Sequence, residues 1–441
     1  NYYDIYYQEN YTKKRLNSVF GTLQLGYKDM VYLDLTARND WSSALAFTES
    51  MSFFYPSVGA TFLLDEMFHM NDDLFDMVKL RASYSVVGND IPAYYSRPVA
   101  TLSKLTITLP TVMPFTDWKP EKTFSIEAGF DLAMLHNRLR TEFTFYKANT
   151  KNQYFQVSAP VASGYSKRNI NAGNVENLGI EASVSYRLDF NHDWSWTPGI
   201  NFSYNKNEIK ELCPGLEEYN LAEASAFIMK LKKGGSYDIY TYDFQYDDNG
   251  NIKLDNTGAP LLTSDADTYA GNFNSKFHLG WSNTINWKNL NIYALVDGKI
   301  GGKVLSMTEA IMDGYGVSKA TGDARLNGGV PNKDGSMIDA EKYYSRVGGR
   351  AQNAGFNAME YMYSATNFRL RELSVGYTFE NLFGMNKNLT ASVVGRNLFF
   401  LYKKSPCDPD ISGSTGNGWQ GIDVFSLPAT RSWGLNLKLN F

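Results

Sequence analysis

Trp433-Gly434-Leu435-Asn436-Leu437-Lys438-Leu439-Asn440-Phe441 closes the chain, apolar and polar residues alternating to an aromatic last residue. Strict period 2 marks a β-strand with one apolar and one polar face. A soluble sheet could use such a strand. A strand of an outer-membrane β-barrel uses it most naturally, with Trp433, Leu435, Leu437, Leu439 and Phe441 toward lipid and Asn436, Lys438 and Asn440 toward a wet lumen.

Working back from this tail, the alternation recurs. Val31, Leu33, Leu35 and Ala37 oppose Tyr32, Asp34, Thr36 and Arg38; Val78, Leu80, Ala82, Tyr84 and Val86 oppose Lys79, Arg81, Ser83 and Ser85. Phe124, Ile126, Ala128, Phe130 and Leu132 oppose Ser125, Glu127, Gly129 and Asp131. Ile180, Ala182, Val184, Tyr186 and Leu188 oppose Glu181, Ser183, Ser185, Arg187 and Asp189. Each run has the length of a tilted strand that crosses a bilayer, about 9–11 residues. About thirteen strands result, from near Ser18 to Phe441, with residues 1–17 either the end of an extracellular loop or a further strand. Bacterial barrels normally have an even number, so an odd count predicts an incomplete barrel or a missed strand. Parity fails once: Phe368 and Leu370 are out of phase with Leu373, Val375, Tyr377 and Phe379, which predicts a bulge, or an emergence from lipid, near Arg371–Glu372.

The connections alternate short and long. Short ones are Lys28–Met30, His136–Arg138, Asn191–Asp193 and Lys288–Asn289, with Asp65–Met77 and Glu380–Asn388 somewhat longer. Long ones are Asn39–Phe53, Gly88–Lys122, Ala148–Asn177, Lys206–Lys276, Gly298–Thr366 and Lys403–Ala429. Short periplasmic turns and long extracellular loops are the outer-membrane pattern, whereas structureless loops of this length count against a compact soluble domain. The segment Leu221–Lys233 reads as helix-compatible within its loop. Tyr27, Trp194, Trp196 and Trp287 sit near short turns, as an interfacial aromatic girdle requires.

Composition agrees. Aromatics are 15% of residues, with 30 Tyr and 27 Phe against 14 Pro, and no apolar run is long enough for a transmembrane helix. The mean hydropathy of −0.35 has the value of a soluble protein, but every second strand residue of a barrel is polar and its loops dilute the rest. A net charge of −4 with scattered Lys and Arg argues against nucleic-acid binding. Two cysteines, Cys213 and Cys407, fall in predicted loops, either bridged or as separate thiols.

No GxSxG, HExxH, paired CxxC or P-loop motif is present, so the chain reads as no enzyme, and nothing in it calls for a cofactor or metal. His69, His136, His192 and His278 are isolated in sequence. Asp247-Asp248-Asn249-Gly250-Asn251 superficially resembles a calcium loop. Aligned on Gly250, however, the first and last ligand positions hold Gln245 and Asn256, so a tight Asn-Gly turn is the better reading. Asp265-Ala266-Asp267 and Asp408-Pro409-Asp410 read as ordinary acidic turns. Asp34, Arg38, Lys79, Arg81, Glu127, Asp131, Arg140, Glu142, Glu181 and Arg187 alternate with apolar residues and have mixed sign. They suit cross-strand pairing and a hydrated path for polar, largely neutral solutes. Trp41, Tyr94, Tyr95, Trp118, Tyr165 and Trp419 lie in predicted loops among Gly, Asn and Asp. Aromatic faces there fit the C–H side of a sugar ring, the packing of a lid protein, or the loops' own packing.

RLNSVFGTLQLGYKDMVYLDLTARNDWSS (Arg15–Ser43) resembles the corresponding stretch of SusC/RagA-type TonB-dependent transporters of the Bacteroidota outer membrane. So do FFYPSVGATF (Phe53–Phe62), VKLRASYSVVGN (Val78–Asn89), KPEKTFSIEAGFD (Lys119–Asp131) and GNVENLGIEASVSY (Gly173–Tyr186). INFSYNKNEI (Ile200–Ile209), FRLRELSVGYTF (Phe368–Phe379) and GRNLFF (Gly395–Phe400) follow in family order. The resemblance implies a plugged barrel of about 22 strands, of which this chain is the C-terminal part, without the plug, the TonB-contacting segment and roughly nine strands. It also implies a SusD-type surface lipoprotein as lid, TonB acting through the missing N-terminal part, and import of a glycan or another large nutrient. Within the same resemblance the barrel could import peptides or serve as a scaffold of an envelope complex. A secreted glycan-binding or glycan-cleaving β-protein would instead be soluble without detergent and carry a paired acid and nucleophile.

Overall fold

The computed structural model describes residues 11–440 except 71–72, 97–100, 104–105, 109, 114, 116, 160, 214, 225, 351–356, 382–386 and 412–419. Trp419 and Phe441 lie outside the described residues. Among those described, thirteen strands form the path of the main sheet, each beside its neighbour in the chain. They are β1 (Leu16–Tyr27), β2 (Val31–Ser42), β3 (Ser52–Leu63), β4 (Phe75–Asn89), β5 (Glu121–Met134), β6 (Leu139–Ser158) and β7 (Lys167–Tyr186). Then come β8 (Trp194–Glu211), β9 (Phe277–Trp287), β10 (Leu290–Ile300), β11 (Asn367–Phe379), β12 (Asn388–Lys403) and β13 (Ser432–Asn440). The chain divides into two compact units, one of Asn1–Asp131, Thr144–Leu178 and Asn207–Glu217, the other of Leu132–Phe143, Gly179–Lys206 and Glu218–Phe441.

In the first unit β1–β4 form an antiparallel meander whose register stacks like with like. Leu23, Leu35, Val58 and Tyr84 face one another across the four strands, and one step along the partners are Gln24, Asp34, Gly59 and Ser83. The β1–β2 turn has Lys28 and Asp29 at positive φ, the backbone of a tight hairpin whose twist matches its strands.

The second unit shows the alternation at its fullest. Trp196, Ile285, Ile292, Val375, Val393 and Leu435 make one continuous apolar row across β8–β13. The neighbouring row is Ser195, Asn286, Asn291, Gly376, Ser392 and Asn436, with no large apolar side chain in it. The polar row bonds to itself: Asn291 Nδ2 donates to Asn286 Oδ1 at 2.6 Å, and Asn286 Nδ2 donates to Ser195 Oγ at 3.2 Å. The apolar residues are left at the surface, Ile200, Trp281, Val393, Trp433, Leu435 and Leu437 each more than half exposed. A water-soluble sheet would bury that face.

The parity slip in β11 has the expected cause. Leu370 pairs with Val296 and Glu372 with Leu295, so Arg371 is an extra residue in its strand. This one-residue bulge brings Phe368 and Leu370 back onto the face of Leu373 and Val375, since a slip of one residue exchanges faces.

The two clusters of buried apolar side chains lie in the loops and the strand ends that carry them. In the first unit Ala44, Leu45, Phe53, Ile91 and Trp118 form a small core. In the second, a larger core includes Phe227, Met229, Ile239, Phe273, Leu305, Val347, Tyr361 and Ile422. Around it are a four-stranded sheet (Glu218–Glu223, Ile228–Lys232, Tyr237–Thr241, Thr268–Asn272) and three helices, Met307–Gly314, Lys319–Leu326 and Ala340–Val347. Ser306, Ser318 and Asp339 cap them, each side chain accepting a backbone N–H of the first turn.

Two expectations are corrected. Leu221–Lys233 is not helical: it contributes to two paired strands, because Met229 and Leu231 bury on one side of a hairpin completed by Tyr237–Thr241. Ala148–Asn177 is not mainly loop, since β6 and β7 run 20 residues each. Apolar alternation stops where lipid would stop, but the ladder continues on polar cross-links. Thr123 and Thr150 hydroxyls lie 2.9 Å apart, and Asn149 Nδ2 donates to Asn174 Oδ1 at 3.1 Å.

Candidate functional site

On the polar face of the first unit, the charges that alternate in sequence pair as their register dictates. Lys79 Nζ lies 2.5 Å from Asp131, and Arg81 Nε 3.3 Å from the same carboxylate. Arg38 Nε donates to Asp40 at 2.8 Å and its Nη2 to Ser18 Oγ at 2.9 Å, while Gln24 donates to Asp34 at 2.8 Å. Asp34, Thr61, Arg81, Ser83 and Glu127 line a recess of about 200 Å³. In the second unit Arg187 Nε lies 2.9 Å from Asp189, Arg140 donates to Asn137 at 3.3 Å, and Glu142 and Glu181 are exposed.

The loop aromatics separate. Trp118 is 1% exposed, packed edge-on against Phe115 at 5.1 Å and near Tyr95 and Tyr154. Its ring is a core element with no surface to offer a substrate or a lid, so of the three readings Trp118 takes the loops' own packing. Tyr95 stands on that cluster and is partly exposed. Tyr94 is half exposed and its Oη accepts the Lys13 N–H at 3.1 Å. Trp41, at the end of β2, is partly exposed, and Tyr165 is half-buried.

The strongest electrostatic feature is in the second unit and was missed in sequence. Asp408-Pro409-Asp410 is no ordinary acidic turn. Arg369, 2% exposed, reaches Asp408 at 3.1 Å and Asp410 at 2.7 Å while lying over the Phe400 ring at 4.3 Å. Arg371, thrust out by the bulge, holds Asp410 at 3.1 Å, bonds to Asp297, and donates to Asn397 Oδ1 at 2.8 Å. Lys299 closes on Asp410 at 2.6 Å. Burial alone would raise the Asp410 carboxyl, but Lys299, Arg371 and Arg369 hold it below the ordinary carboxylate range. The signal was present as Lys299, Arg369 and Arg371 on consecutive strands, but only the fold shows that Asp408 and Asp410, in the loop after the next strand, supply their counter-ions. Beside the cluster lies a recess of about 430 Å³, lined by Phe273, Ser275, Lys299, Lys303, Asp410 and Gln420 among others. Cys213 and Cys407 are both half-buried.

Strands with an exposed apolar face and a hydrogen-bonded polar face define an integral β-barrel protein of the outer membrane. The chain belongs to the TonB dependent receptor-like β-barrel family, whose model matches residues 1–294. It is 26% identical to TonB-dependent receptor P3 of Formosa agariphila, over 97% of this chain and 45% of that protein. It is 22% identical to TonB-dependent receptor SusC of Bacteroides thetaiotaomicron, over 98% of this chain and 44% of that protein. The structure of the RagAB peptide importer in its open-open state shares the fold, with a TM-score of 0.77 at 21% identity over 97% of this chain and 47% of that one. The chain thus spans about half the length of the relatives it matches.

Proposed function

We propose that this barrel segment belongs to a TonB-dependent importer that carries a large polar nutrient, an oligosaccharide or a peptide, across the outer membrane beneath a SusD-type lipoprotein lid. The observation that carries the reading is the pair of opposed rows across β8–β13, apolar toward lipid and polar toward a hydrated interior. Family membership and likeness to receptors named TonB-dependent support it. Exposed aromatics such as Trp41 and Tyr94 favour a sugar, since a ring face covers the C–H side of a pyranose. Likeness to a structure described as a peptide importer favours a peptide.

The test is uptake of fluorescent oligosaccharides and peptides by cells carrying or lacking the full-length gene, with and without an uncoupler. Import that needs both the gene and the proton-motive force is expected. Unchanged uptake together with a damaged envelope would favour the scaffold reading instead.

A further inference from the structure

We propose that the recess beside Lys303 is a subsite for a carboxylate borne on the nutrient, a proposal that rests on the import reading for the source of its ligand. The recess is built by close backbone approach. Gly301 and Gly302, both at positive φ, fold the chain after β10 back against Phe273–Ser275. A Cβ at Gly302 would lie 2.9 Å from the Phe273 carbonyl oxygen, and one at Gly421 would lie 2.7 Å from the Phe273 ring. This fold brings Lys299 and Lys303 to the same recess.

The two lysines differ in charge state of their surroundings. Lys299, Arg369 and Arg371 are matched by Asp297, Asp408 and Asp410, each in at least one ion pair. Lys303 is the cation left over, with no ion pair among the described residues. Its stem lies so close over Gly271 that a Cβ there would come within 2.6 Å of Lys303 Cγ, which fixes the arm on which the ammonium is carried. Gln420 and Ser275 also line the recess, and among the described residues their side chains make no hydrogen bond.

One ammonium, one amide and one hydroxyl around a phenyl ring suit two oxygens with a single negative charge and an apolar stem. Asp410 in the wall disfavours a dianion such as phosphate. The volume exceeds that of a lone ion and falls in the range of organic ligand sites, about 300–1,000 Å³. The carboxylate could come from an acidic peptide side chain or from a uronic acid; the chemistry of recognition is the same.

The experiment is calorimetric titration of the purified full-length protein in detergent with two matched pairs. One is a Glu-containing tetrapeptide and its Gln isostere; the other is trigalacturonate and its methyl ester. In at least one pair the acid should bind about tenfold tighter than its neutral counterpart, the contribution of one charge-assisted hydrogen bond. The discriminating pair names the source. Lys303→Gln should abolish the difference and Lys303→Arg retain it, both with an unchanged unfolding midpoint. Absence of discrimination in both pairs, or discrimination that persists in Lys303→Gln, overturns the subsite. Because binding is read on purified protein, its failure is distinct from a failure of import in cells.

Discussion

Arg369 Nη2 and Asp410 Oδ2 stand 2.7 Å apart, joining the outer end of β11 to a loop that follows β12. The guanidinium is almost wholly buried, and Asp408 takes a second contact at 3.1 Å. Removing one partner of such a pair leaves the other charged in a poorly solvated place, which costs more than the intact pair contributes. Arg369→Met should therefore destabilise the loop end by about 3 kcal/mol. Limited proteolysis should show new cleavage within residues 404–411 while the strands stay protected.

The same carboxylate sets a pH dependence. Asp410 is held below the ordinary range in the folded state, so its contribution is complete above that range and is lost as pH falls through the lowered value. A nitroxide at Lys404→Cys, with both native cysteines replaced by Ser, should stay constrained at neutral pH. It should become mobile only well below about pH 4. In an Asp410→Asn background that acid step should disappear.

Lipid exposure predicts a difference between the two faces. Val393 sits mid-row between Val375 and Leu435, and its neighbour Ser392 lies in the polar row. Val393→Arg should cost about 2–4 kcal/mol, as for a cation near the bilayer midplane. Ser392→Arg should cost much less. Urea unfolding in lipid vesicles measures both.

Gly395 faces Trp433 across β12 and β13, and a Cβ there would lie 2.8 Å from the indole ring and 2.8 Å from Leu398. Gly395→Val should overpack the pair by about 1–3 kcal/mol. Gly434→Ala, with nothing within 4 Å of its Cβ, serves as the control. The readout is the heat-modifiable gel shift of the folded barrel.

Asn283 is a polar residue on the same face as Ile285, two residues along the strand, and Trp196 Nε1 donates to its Oδ1 at 3.1 Å. Trp196→Phe should strand the amide and cost about 1–3 kcal/mol, whereas Trp196→Phe with Asn283→Val should recover most of that loss. A double-mutant cycle by urea unfolding checks it.

Period-2 alternation by itself determined the strands and their two faces, because side-chain direction in a strand is local geometry. Even the bulge at Arg371 was legible, since a one-residue slip in parity has few remedies. Four things were decided only by tertiary structure. Strands continue past the apolar run on Asn and Thr cross-links, Leu221–Lys233 pairs as a hairpin because a third strand covers it, and Trp118 is core rather than surface. The Arg369–Asp410 latch is the clearest case: Arg369, Arg371 and Lys299 stand on neighbouring strands, but no local rule says which distant carboxylates will meet them. Pairing across strands and loops is set by register and by how a loop folds back, and neither is written in the period of the residues themselves.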